Sequence, residues 1–223
     1  MKSDLILLHA ALGCKKQLLF LKEKLEKRYK IHFLDFDGHG EKSNFENEFA
    51  IDLFTENVID FIRQNNLEKV TIFGYSMGGY VALNLALKHP QHIMKITTYG
   101  TKLDWKVEFA SKEVKNLNPV KIKEKVPVFA DYLESLHGKN WTEVLRKTAK
   151  MMLNLGNGTA LTVEDFTKIS TPTKVLIGEN DFMVSVEESK LVSEQLINGE
   201  LSIIKNSNHT PDKWNIDEIL NHL

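Results

Sequence analysis

Ser76, Asp181 and His209 supply a nucleophile, an acid and a base, in that order along the chain. Ser76 stands in Gly74-Tyr75-Ser76-Met77-Gly78, a G-x-S-x-G pattern between an apolar run (69–75) and a helix-like run (77–89). At such a strand-to-helix turn the serine is exposed and strained, and its neighbours two places away must be small for strand and helix to pass closely. Gly74 and Gly78 meet that need, and Gly79 relaxes it further. A hydroxyl attacks well only beside a base, and the base needs an orienting acid. Asp181 in ENDFMV and His209 in NSNHTP each follow a predicted strand. Singly, these residues would also suit a glycine turn, a helix cap and a solvated loop. Together, in this order at equivalent strand ends, they predict acyl chemistry through a serine.

Such chemistry also needs donors for a developing oxyanion. The backbone N–H of Met77, after the nucleophile, is one; the loop after the first strand should bring the second. That loop is LLHAALG (7–13), and Ala11 is the candidate, with His9 and Gly13 shaping the turn. The helix beginning beside Ser76 also offers unpaired N–H groups that favour negative charge.

The elements that must position these groups alternate. Strands are predicted at 4–10, 30–36, 69–75, 93–99, 173–179 and 200–206, with helices at 14–29, 50–66, 77–89, 186–197 and near 212–222. This rhythm implies a doubly wound, mainly parallel α/β sheet of about six strands with right-handed crossovers. It breaks at 101–165, where no strand is evident and helices fit 104–117, 127–137 and 141–155. The division expected is therefore a core of 1–100 and 166–223 with a helical lid at 101–165, over the carboxyl ends of the strands. Trp105, Phe129, Tyr132, Trp141, Met151 and Met152 in that insertion are candidates to line a substrate pocket.

Bulk composition narrows the function further. The 223 residues are 42% hydrophobic and 26% charged with net charge −1, which gives no reason to invoke nucleic acid or an anionic membrane. Cys14 is the single cysteine, so no internal disulfide can form, and a reducing, cytoplasmic setting is expected. No apolar run approaches a membrane span of roughly 18 residues. The first residues faintly resemble a lipoprotein signal, but Asp4 and His9 interrupt the apolar run. No clustered metal-ligand spacing, dinucleotide loop or Walker loop appears, so neither metal nor cofactor is expected. Nothing in the sequence selects an oligomeric state.

Over nearly its whole length the chain resembles the α/β-hydrolase superfamily. LLHAALG corresponds to its oxyanion loop, DFDGHGEKS (35–43) to the loop after its second strand, GYSMGG to the nucleophile elbow, GENDFMV to the acid and NSNHTP to the histidine. The resemblance implies a serine hydrolase of a small-molecule acyl substrate, with carboxylic esters foremost and thioesters and amides open. It also leaves open acyl transfer, C–C bond hydrolysis and a non-catalytic ligand-binding role. Serine at 76 argues against the branches with a carboxylate nucleophile. Three features depart from the family: no room for an N-terminal hairpin, Ala10 where glycine is usual, and Tyr80 where menaquinone-pathway lyases carry arginine. Arg146 and Lys147 are basic residues of the insertion, but the missing arginine counts against the lyase reading. Asp37 and His39 of DGHG are expected to hold a loop, and His9 to be structural.

Overall fold

A computed structural model describes residues 2–223. Six strands form one sheet: β1 (Ser3–Leu8), β2 (Tyr29–Phe33), β3 (Val70–Tyr75), β4 (Ile93–Tyr99), β5 (Thr173–Gly178) and β6 (Gly199–Ile204). They pair in parallel in the order β2-β1-β3-β4-β5-β6. The predicted six-stranded parallel sheet is therefore observed, and all its carboxyl ends lie along one edge.

The helices are α1 (Lys22–Leu25), α2 (Ile51–Gln64), α3 (Met77–Lys88), α4 (Val107–Glu113), α5 (Pro119–Lys125), α6 (Pro127–His137), α7 (Trp141–Asn154), α8 (Val163–Phe166), α9 (Val186–Gln195) and α10 (Ile216–Leu220). Alternating side chains divide the core between the two faces of the sheet, as the two-residue period of a strand requires. Ile6 and Leu8 pack with α2, α3 and α9, whereas Leu5 and Leu7 pack with Leu18, Leu21, Leu25, Trp214 and Ile219. Strands buried on both faces, β3 above all, read as near-continuous apolar runs, and the edge strands β2 and β6 carry a weaker signal.

Three segments depart from expectation. The helix expected over 14–29 is mostly a 3₁₀ turn, Lys15–Leu21, followed by the single turn α1. Its leucines still reach the core, since spacings of three and four serve both helix types. The terminal helix expected near 212–222 is a 3₁₀ turn, Pro211–Lys213, and the short α10. Between β4 and β5 the chain is helical, as expected, but adds α5 and α8. Each has a local start signal: Asn118 with Pro119, and a Thr162–Asp165 capping box.

Candidate active site

β3 delivers Ser76 into a conformation an L-residue adopts only under constraint, φ 52° and ψ −114°. Such backbone costs on the order of 1–3 kcal/mol and persists only where its surroundings hold it. Here Ser76 N–H donates to Tyr99 O (2.8 Å), while its carbonyl accepts from Gly79 N–H (3.0 Å) and Thr101 Oγ1 (3.0 Å). The turn is tight because α3 folds back onto the sheet. A Cβ on Gly74 would lie 2.4 Å from Gly79 N, and one on Gly78 would lie 2.3 Å from Leu8 O.

Asp181 and His209 arrive from the loops after β5 and β6. His209 Nδ1–H donates to Asp181 Oδ2 at 2.9 Å, and both side chains are almost wholly buried. The other carboxylate oxygen accepts from the backbone N–H groups of Met183 and Val184, each at 2.9 Å. Asp181 thus shapes its own turn and also orients the imidazole. The His209 carbonyl accepts from Trp214 Nε1–H (3.0 Å), and its ring packs 5.5 Å from that of Tyr75. The hydrogen bond to Asp181 fixes the proton on Nδ1, so Nε2 remains a basic lone pair. Ser76 and His209 line the same cavities, short of a hydrogen bond to each other, a contact that commonly tightens when substrate arrives.

Met77 N–H and Ala11 N–H have no acceptor among the described residues, and both residues border the cavity at Ser76. Two spaces meet there. One is a narrow pocket of about 60 Å³, walled by Trp105, Phe109, Met151 and Leu155. The other is a wider cleft of about 490 Å³ that reaches Gln17, Phe129, Tyr132 and Asp212. Met152 borders both. Trp141 borders neither: it is buried in a small core with Ile122, Ala130, Leu133 and Leu145 inside the insertion. Its helical spacing was correctly apolar, but it faces the insertion's own core because α5 and α6 need a shared face to bury.

The remaining polar residues singled out in the sequence serve structure. His39 donates from Nδ1 to Asp37 O (3.0 Å) and stacks on Phe49, and neither it nor Asp37 borders the Ser76 cavities. His9 accepts from Phe36 N–H (3.2 Å) and is wholly buried. Tyr80, where an arginine would suit a lyase, accepts from Leu161 N–H (2.7 Å) and walls the narrow pocket. Lys147 is buried and donates to Phe45 O and Asn47 O; Arg146 pairs with Glu143 at the surface.

Several contributors had no clear sequence signal. Gly100, just after β4, has φ +59°, and a Cβ there would sit 3.0 Å from both Asp181 Oδ2 and His209 Nδ1. In YGTK it reads as any loop glycine. Glu188 looks like an ordinary acid in the first turn of a helix. It instead accepts from Lys102 Nζ and from the N–H groups of Leu103 (2.5 Å) and Asp104 (2.7 Å), fixing the start of the insertion.

A model described as alpha/beta hydrolase fold matches residues 5–120. The chain belongs to the α/β-hydrolase family. Within it, the chain is 25% identical to "Putative esterase/lipase" of Haemophilus influenzae over 224 aligned positions, 92% of this chain and 76% of that protein. It is 37% identical to "Probable alcohol acetyltransferase" of Cyberlindnera fabianii over 92 positions, 40% of this chain. That match spans only 25% of the yeast protein's length. A thermophilic esterase from Thermogutta terrifontis superposes with a TM-score of 0.80 at 16% identity, covering 100% of this chain and 88% of that one. This last likeness concerns the fold alone. Among the described residues no helix is long and apolar enough to cross a membrane.

Proposed function

We propose that this α/β-hydrolase cleaves small carboxylic esters with Ser76 as nucleophile, His209 as general base and acid, and Asp181 as the orienting carboxylate. The observation that carries the reading is the 2.9 Å His209–Asp181 pair on one cavity with a serine in a strained strand-to-helix turn. His209 Nε2 takes the Ser76 proton as Oγ attacks the acyl carbon. Met77 and Ala11 N–H groups hold the oxyanion, where each donor is worth about 3 kcal/mol of transition-state stabilisation. The imidazolium then protonates the departing alkoxide, and water repeats the sequence to release the acid.

The 101–165 insertion acts as the lid. The narrow pocket, walled by Trp105, Phe109, Met151 and Leu155, takes the acyl chain, and the wider cleft takes the alcohol. The narrow pocket's small volume, about 60 Å³, suits a short acyl chain. Trp105, Met151 and Met152 then set acyl length, and Phe129 and Tyr132 border the alcohol.

Hydrolysis of p-nitrophenyl esters from acetate to decanoate by wild type and Ser76→Ala tests the assignment. Loss of turnover in a folded Ser76→Ala protein is expected; equal rates in the two proteins would sink it. Acyl transfer to an alcohol is the second reading, favoured by the match to a yeast protein named as an alcohol acetyltransferase. Adding ethanol separates the two, since a transferase yields ethyl ester where a hydrolase yields free acid.

A further inference from the structure

His137 ends α6 in the insertion, yet both of its ring nitrogens are committed to the core. Nε2–H donates to Leu12 O (2.9 Å), and Nδ1 accepts from Gly40 N–H (3.0 Å). One neutral imidazole, its proton on Nε2, thus bridges the loop after β1 and the DGHG loop. Neither protein partner is a side chain, so no residue pattern in the sequence announces the link.

Leu12 is the telling partner. Gly13 N–H donates to Ala10 O (3.1 Å), closing a turn whose third residue, Leu12, has φ 59°. That left-handed value is what a type II turn requires at this place, and glycine normally supplies it. A leucine there is strained and stays only where a contact holds it. The second residue of the same turn is Ala11, whose N–H is unpaired beside Ser76.

We propose that His137 is a positioning residue for the reaction: its grip on the Leu12 carbonyl holds the Ala10–Gly13 turn in the shape that points Ala11 N–H at the oxyanion. The proposal rests on the ester-hydrolase reading above. A lid helix would then complete the oxyanion hole from behind, coupling the insertion's placement to the chemistry. The grip needs an unprotonated Nδ1, since a proton there would face the Gly40 N–H donor. Burial favours that state, holding the His137 pKa below its ordinary value. The groups facing it are His39, with ring centroids 5.8 Å apart, and more distantly His9 and the Asp35 carboxylate, whose charge works the other way.

The test compares wild type, His137→Ala and His137→Gln with p-nitrophenyl butyrate, with Ser76→Ala as control. Glutamine carries an amide NH2 donor and a carbonyl acceptor to replace the two ring contacts. The Ala variant should lose about 10- to 100-fold in kcat, the scale of a displaced oxyanion donor, with KM within about twofold. The Gln variant should recover most of that loss. Equal losses in both variants, or a lower melting temperature with unchanged kcat, would overturn the proposal. Amide hydrogen exchange over residues 9–14 reads the grip without relying on turnover. Exchange should quicken in His137→Ala and slow again in His137→Gln; unchanged exchange also overturns it. Wild-type rates equal to those of Ser76→Ala would count against the hydrolase reading, and the exchange would still decide the grip. If the Ala variant does not fold, His137→Asn, too short to reach both partners, takes its place with the same expectations.

Discussion

Three buried histidines, His9, His39 and His137, cluster behind the oxyanion loop, with ring centroids 5.2 Å (His9–His39) and 5.8 Å (His39–His137) apart. Burial pushes each below its ordinary value, His9 from 6.5 to about 4. Each accepts a proton more readily in the unfolded chain, so stability is full above about pH 6.5 and is lost as pH falls toward the folded values. At about 1.4 kcal/mol for each pH unit between those values, protonation of His9 alone costs on the order of 3 kcal/mol of stability as pH falls through this window. The melting temperature should therefore fall steeply between pH 6.5 and pH 4.5, and His39→Phe should flatten that slope. A melting temperature indifferent to pH over this window would contradict the neutral cluster. At the reacting residues, Asp181→Asn should keep the fold but lower kcat by about four orders of magnitude, because an amide can hold the wrong imidazole tautomer. A kcat within tenfold of wild type would show that His209 needs no such partner.

The element that matters most is the loop leaving β4. Gly100 allows Asp181 and His209 to meet directly above it, and Glu188 holds the next residues through three donors. Gly100→Ala should cost about 1–2 kcal/mol for its left-handed backbone and should also push the acid–base pair apart. Activity should consequently fall further than stability, as kinetics beside thermal melts would reveal; an active, folded variant would contradict this. Glu188→Ala leaves buried donors unpaired, at about 1–3 kcal/mol each, whereas the exposed Glu187→Ala next to it should be nearly silent. Equal denaturation midpoints for the two variants would mean that Glu188 does not secure the insertion.

At the scale of the whole molecule, the strand ends of the sheet bring Ser76, Asp181 and His209 together, and residues of the 101–165 segment wall the cavities beside them. Four sets of hydrogen bonds, part-buried or buried, tie that segment down: His137 to Leu12, Lys147 to Phe45 and Asn47, Leu161 to Tyr80, and Glu188 to Leu103 and Asp104. On the ester-hydrolase reading, Trp105, Phe109, Met151 and Leu155 wall the narrow pocket, so kcat/KM for p-nitrophenyl esters should peak at short acyl chains and drop by about tenfold or more at octanoyl, the loss expected when a chain outgrows a packed wall. Trp105→Ala should move that peak to longer chains; a profile unchanged by the substitution would assign acyl length to the wider cleft instead.

The sequence by itself determined the parallel sheet, the turn at Ser76 and the order of Ser76, Asp181 and His209. Those signals are local: apolar runs for buried strands, small residues around a tight turn, and catalytic residue types just past strand ends. Five of the six large apolar residues that it singled out in the insertion border the cavities at Ser76. Trp141 was the exception, because two faces of one amphipathic insertion look alike until the helices pack. Only the tertiary structure brings out the contacts of Gly100, Glu188 and His137. Glu188 and His137 hydrogen-bond backbone groups brought from distant parts of the chain, and Gly100 leaves room for two distant side chains; neither kind of contact leaves a mark on the identity of the residue that carries it.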